Sequence, residues 1–319
     1  MPKVIIVIVL LFFCLQTSNA DNSNPILFSK AEMVNKYTTR IPFKLVDNLI
    51  VVEAEVLNKK GNFIIDTGSE ALLLNKVHFP SKYIQSKKSS ETSGIISLID
   101  KPLERSLKAF TIQSLNIKNK RCDVLDLSHI EKTKNMNLLG VIGYSILKDY
   151  EVFIDLHLNQ ITLSKVDKYG NKLDENVYLE KIVDSVNFKL KNHTIILNCT
   201  INNQKLKFGL DTAAEFNQIN KNVSKKVLKY FIPKKRLQLV GVSNKKIEVL
   251  AGKLHRVKLS ETVYFGPMNT ILTNLNKINI AFGTDLDGIF GYDFFAQKRT
   301  IINYRKEKIY FINFPFKRH

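Results

Sequence analysis

Asp66 and Asp211 are the two residues of this chain whose surroundings invite chemistry. Each closes a short apolar run, Phe63-Ile64-Ile65 before the first and Phe208-Gly209-Leu210 before the second. Each is followed by a threonine, two small residues and a glutamate: Asp66-Thr67-Gly68-Ser69-Glu70 and Asp211-Thr212-Ala213-Ala214-Glu215. Runs of this length read as buried strands, and a small residue after the acid allows a sharp turn. A carboxylate at the end of a buried strand is costly unless something hydrogen-bonds it or shares a proton with it. The obvious partner for each aspartate is the other.

The two elbows belong to a longer internal repeat. At an offset of 145 residues, from Asp66 to Asp211, positions 43–75 lie on positions 188–220 without a gap, with Phe43/Phe188, Leu45/Leu190, Ile50/Ile195, Asn58/Asn203 and Asn75/Asn220 among the identities. A second block repeats at an offset of 148: Leu138-Leu139-Gly140-Val141-Ile142-Gly143-Tyr144 matches Leu286-Asp287-Gly288-Ile289-Phe290-Gly291-Tyr292. Duplication at this period implies two similar units, which the chain must fold against each other. At 319 residues there is room for two units of roughly 130–150 residues, each with its own core.

The elements that must carry the elbows read mostly as strands, short β-branched runs punctuated by Asn, Lys and Gly. Helical patterns are few, the best at 144–150, 221–230 and 292–297. Thr92-Ser93-Gly94 and Leu239-Val240-Gly241 occupy similar places in the two halves and read as hairpin tips. The expected organisation is a leader at 1–20, an arm at 21–40, one lobe at 41–166, a polar linker at 167–180 and a second lobe at 181–319. The leader reading rests on Lys3, the apolar run from Val4 to Leu15 and Ser18-Asn19-Ala20 before Asp21. That run of about twelve residues is short of the roughly twenty needed to span a bilayer, so the expectation is an exported protein, periplasmic or secreted, with no transmembrane span.

These features resemble the aspartic peptidases, in which an apolar strand ends on Asp-Thr-Gly and a later apolar-apolar-Gly strand crosses behind it. Asp66-Thr67-Gly68 with Val141-Ile142-Gly143, and Asp211-Thr212-Ala213 with Ile289-Phe290-Gly291, supply both parts twice. Lobes of this size look more like the bacterial retropepsin-like families of the pepsin/retropepsin superfamily than the larger pepsins. The resemblance implies an all-β fold with few short helices, two pseudo-twofold-related barrels with the active-site cleft between them. It implies an aspartic-type endopeptidase in which Asp66 and Asp211 are catalytic and hold a water between them, with no metal, cofactor or covalent intermediate. One carboxyl would act as base on that water and the other as acid toward the peptide carbonyl. Thr67, Gly68, Ser69, Thr212, Ala213 and Ala214 would support the site, the threonines bonding across to the opposite lobe. Glu70 and Glu215 match a position that contacts the substrate main chain or pairs with an arginine; a solvated charge is the equal alternative for each. With both acids in cis, a monomer acting on a peptide or protein substrate is implied.

The second elbow departs from the pattern. Ala213 stands where glycine is usual, which costs about 1 kcal/mol if a positive φ is needed there. Ala214 lacks the hydroxyl of Ser69, and losing a hydrogen bond to the ionised carboxylate would raise the pair's pKa, placing the activity optimum above that of pepsin-like digestive enzymes. The alternative these departures raise is a protein of the same fold that holds peptide without cutting it.

The remaining signals are weaker. The balance of 48 Lys plus Arg against 29 Asp plus Glu gives +19 and a possible weak attraction to anionic surfaces. The lysines are scattered and lack aromatic interleaving, so no nucleic-acid partner is expected. The six histidines (His78, His129, His157, His193, His255 and His319) have no metal-ligand spacing. Beyond the leader the two cysteines, Cys122 and Cys199, read as buried thiols. Sequons begin at Asn192, Asn198 and Asn222.

Overall fold

A computed structural model of the chain describes residues 26–79, 103–174, 181–240 and 246–313, with the backbone of two-residue strands at 12–13, 86–87, 92–93 and 98–99. The expected leader and the linker segment 175–180 lie outside the described residues, apart from the backbone at 12–13. Strands dominate, and each half of the chain builds its own sheet.

In the first half the strands Leu49–Val56 and Lys59–Ile65 form a hairpin whose second arm ends at Asp66. Strand Leu138–Ile142 then threads between the elbow strand and Leu72–Asn75, parallel to one and antiparallel to the other. The sheet curls on itself because Leu103–Ile112 pairs both with Leu115–Leu125 and, at Thr111↔Glu55, with the first hairpin. The second half repeats the device: Thr194–Ile201 pairs with Gln204–Leu210, which ends at Asp211, and Gly288–Phe290 threads between Gln204–Leu210 and Asn217–Asn220. Glycine in the threaded strands is a packing requirement. A β-carbon on Gly140 would lie 2.1 Å from the Leu73 carbonyl oxygen, and one on Gly288 would lie 2.1 Å from the Phe208 ring.

A third sheet takes strands from both halves, in the order Ile182–Asn187, Lys308–Ile312, Arg299–Asn303, Tyr150–Asp155, Gln160–Lys165, Thr38–Pro42 and Glu32–Asn35. The arm therefore supplies Glu32–Asn35 and the start of Thr38–Pro42, the two strands at one edge of this sheet. The apolar core runs from Ile41 and Phe43 in the first half to Phe290 and Phe311 in the second without a break. The architecture is the bilobal β barrel, with two pseudo-twofold-related lobes, that the resemblance implies.

The helices differ in part from the sequence expectation. The turn expected at 144–150 is helical over Tyr144–Leu147, that at 221–230 only over Lys225–Leu228, and Tyr292–Gln297 is helical throughout. Two more helices, Ser128–Lys134 and Asn276–Phe282, stand just before the threaded strands and end on left-handed residues, Asn135 and Gly283. Each buries only two side chains, too few for a visible 3.6-residue period. The hairpin-tip residues end paired strands, Thr92 and Ser93 against Ile99 and Leu98, and Leu239 and Val240 against Ile247 and Lys246, with the turns themselves outside the described residues. Cys122 and Cys199 are buried free thiols. Among the described residues no helix is long and apolar enough to cross a membrane.

Candidate active site

Both aspartates sit where their apolar strands run out, and the threaded strand behind each holds the chain at that point. The Asp66 amide donates to the Ile142 carbonyl at 3.0 Å and the Asp211 amide to the Phe290 carbonyl at 2.9 Å. One residue further on, Gly143 and Gly291 lie against the elbow backbone. A β-carbon on Gly143 would come within 2.5 Å of the Ala71 carbonyl oxygen, and one on Gly291 within 2.2 Å of that of Ala214. The elbow turns are closed by amides reaching back to the carboxylates: Gly68 and Ser69 donate to Asp66 Oδ1 at 2.8 and 3.0 Å, and Ala213 donates to Asp211 Oδ1 at 2.8 Å.

The threonines join the two elbows. Thr67 Oγ1 donates to the Leu210 carbonyl at 3.2 Å and accepts from the Thr212 amide at 3.0 Å. Thr212 Oγ1 donates to the Ile65 carbonyl at 2.8 Å and accepts from the Thr67 amide at 3.0 Å. These four bonds are buried, reciprocal and cross from one lobe to the other, so they fix the separation of the aspartates that precede the threonines. As a result, the carboxyls of Asp66 and Asp211 stand close enough for each to shift the other's ionisation.

Burial is the larger reason that this pair resists ionisation. The Asp66 carboxyl is held well above the usual carboxylate range by desolvation and then by the Asp211 charge, against the opposing pull of the Gly68 and Ser69 amides. Asp211 is also raised by desolvation, with the Ala213 amide and the Asp66 hydrogen bond pulling it back. Two carboxyls that act on each other in this way titrate as a pair rather than separately. Close by, the buried Tyr304 hydroxyl is pushed up by desolvation first and then by Tyr144 and both aspartates. Its ring packs edge-on against Tyr144 with centroids 5.3 Å apart.

The departures in the second elbow have local explanations. Ala213 is not among the residues with positive φ, so its β-carbon causes no backbone strain. Its methyl is buried in a first-lobe cluster with Ile64, Leu73, Ile130, Met136 and Val141, while Ala214 packs in a second-lobe cluster with Ile278, Phe282 and Ile289. The missing hydroxyl at position 214 is not what raises the pair. The Ser69 hydroxyl donates to the Ala71 carbonyl at 3.3 Å and spends nothing on Asp66, so Ala214 removes no bond of that kind. The pair is raised by burial instead.

The two glutamates are not alike. Glu215 is neither a solvated charge nor open to substrate. Its side chain is 3% exposed and lies 2.6 Å from Lys134 Nζ, a lysine where the resemblance implied an arginine. Glu70 is 43% exposed and lies 4.0 Å from His193 Nδ1 across the lobe boundary. His193 is buried edge-on against Phe282, and burial pushes its imidazole down to about 4 against a smaller upward pull from the Gly68 backbone. Sequence reasoning missed both Lys134 and His193. The signal was available in the repeat, which sets Lys134 against Phe282 and Asn48 against His193, two places where the copies diverge in chemistry.

No protein-family model matches the chain, and no curated protein matches it. Among solved structures, the chain is similar to the crystal structure of a retropepsin-like aspartic protease from Rickettsia conorii, with 21% identity over 40% of this chain and 88% of that one, at a TM-score of 0.28. A likeness this slight transfers no activity.

Proposed function

We propose that the protein is an aspartic-type endopeptidase that hydrolyses peptide bonds with a water activated by Asp66 and Asp211. The observation that carries this reading is two buried carboxyls from opposite lobes that shift each other's ionisation, held together by the reciprocal Thr67 and Thr212 bonds. The ionised member of the pair removes a proton from the water as its oxygen attacks the carbonyl carbon, and the protonated member donates to the carbonyl oxygen. Collapse of the resulting diol breaks the C–N bond as the amine nitrogen takes the proton held by one carboxyl and a diol hydroxyl gives its proton to the other, so the pair remains singly protonated. Both acids come from one chain, which supports action without a second copy. Export is proposed on the leader-like residues 1–20 alone.

The test is incubation of the purified protein with a peptide library from pH 3 to 8, with and without a statine-type inhibitor. Inhibitable cleavage, lost in Asp66→Asn and Asp211→Asn and strongest above pH 3, is the expected outcome. Peptide binding with no turnover at any pH would replace this reading with that of a binding protein.

A further inference from the structure

Helix Ser128–Lys134 belongs to the first lobe, yet it contacts the second elbow in two ways. Lys134 Nζ lies 2.6 Å from Glu215 and 3.0 Å from Asp47 Oδ2, with the lysine side chain 0% exposed. Ala213 packs in the same cluster as Ile130, on the helix, and Met136, just beyond it. Asn48 Nδ2 completes the seat by donating to the Glu215 carbonyl at 3.2 Å. The residues two and four places after Asp211 are therefore held by the opposite lobe. At the first elbow the repeat puts Phe282 where Lys134 would be and His193 where Asn48 would be, so the two elbows are seated by different side chains.

Of the two carboxylates beside Lys134, Asp47 is solvated and Glu215 is buried, so displacing the ammonium would leave the Glu215 charge without solvent or partner. Resting on the carboxyl-pair reading above, we infer that Lys134 is a positioning residue: by fixing Glu215 it sets where the Asp211 carboxyl stands against Asp66. It acts on one aspartate of the two and touches neither.

Three variants of the full chain test this: Lys134→Arg, Lys134→Met, and Lys134→Met with Glu215→Met. Exchange of a buried ion pair for apolar side chains of similar volume is often neutral for stability, so the double variant separates folding from placement. Aspartate carboxyl titrations by 13C NMR are read beside kcat and KM on a cleaved peptide. The double variant is expected to melt within a few degrees of the parent, to lose kcat at least tenfold with KM within about twofold, and to show the two carboxyl titrations losing their dependence on each other, with Asp66 falling toward the ordinary range as the Asp211 contact weakens. Lys134→Arg is expected to keep most of kcat. Parent-like kcat and titrations in the double variant, or a loss confined to stability in all three, would overturn the inference. A parent protein that shows the shared titration but never cleaves would remove the peptidase reading and leave this one standing. Aspartates that titrate independently in the parent would sink both.

Discussion

Asp155 and Arg299 meet across the boundary between the lobes, with Nη2 2.6 Å and Nε 2.9 Å from the same carboxylate oxygen. The 148-residue offset makes Asp155 the counterpart of Asn303 and Arg299 the counterpart of Glu151, and Asn303 Nδ2 donates to Glu151 Oε2 at 2.9 Å. Strand Tyr150–Asp155 thus offers two acids to Arg299–Asn303, which answers with a cation and an amide. Two copies of the first strand in that register would set acid against acid. Divergence of the repeat has made the lobes complementary where they share a sheet.

Arg299→Met should consequently be among the most damaging substitutions away from the carboxyl pair. Both side chains of the pair are almost fully buried, and removal of one partner leaves an uncompensated charge, which costs about 3–5 kcal/mol. Adding Asp155→Leu should recover only part of this, because Asp155 Oδ1 also accepts the His157 and Leu158 amides. Urea unfolding at pH 7 measures both, and a loss below about 1 kcal/mol for the single variant would contradict the account.

Ala213→Gly restores the residue usual at this place and should still weaken the protein. The backbone does not need positive φ there, and the methyl is 1% exposed among first-lobe side chains. Loss of that burial at about 0.8 kcal/mol, with a further 0.5–1 kcal/mol from glycine's freedom in the unfolded chain, predicts a loss of roughly 1–2 kcal/mol. A variant as stable as the parent in the same unfolding assay would show that the methyl is not a contact between lobes.

The repeat is what made the fold and the acids legible. Phe63 to Asp66 and Phe208 to Asp211 carry an apolar run, an acid and a turn in consecutive residues, so local pattern and function coincide. The supporting groups lie far from the elbows in sequence and carry no pattern of their own. Lys134 is one lysine among many and ends a helix with a single apolar buried residue, Ile130. Its meaning depends on Glu215, 81 positions away, and only packing brings the two together. Nor did the sequence indicate that the Ser69 hydroxyl would turn to the Ala71 carbonyl, a choice between two nearby acceptors made by the turn's geometry.

His193 predicts a pH dependence that can be separated from that of the carboxyl pair. Its folded-state pKa is depressed to about 4 by burial, below an unfolded value near 6.5. The stability it contributes is therefore full above about pH 6.5 and is lost as pH falls toward 4. The charged group facing it is Glu70, at 4.0 Å, with the Gly68 backbone on the same side. His193→Asn, which copies the Asn48 found in the other lobe, should flatten the difference between unfolding free energies at pH 6.5 and pH 4.5. An unchanged pH slope in the variant would show that the imidazole is not the group responsible.

Replacement of one member of the carboxyl pair should stabilise the protein at neutral pH while abolishing cleavage. Both folded-state pKa values are raised, chiefly by desolvation, above the unfolded range near 4. The folded state then holds protons that the unfolded chain releases, so the favourable contribution is complete below the unfolded pKa and disappears as pH rises through the folded one. Asp211→Asn is neutral at every pH and can still accept the Ala213 amide through its carbonyl oxygen while donating to Asp66. The variant should melt higher than the parent at pH 7, by about 2–4 °C for each kcal/mol relieved, and the gap should close by pH 3. A melting difference of the same size at pH 3 and pH 7 would mean that ionisation of the pair is not what the substitution removes. A lower melting point at pH 7 would mean that the carboxylate is worth more to this elbow than its burial costs.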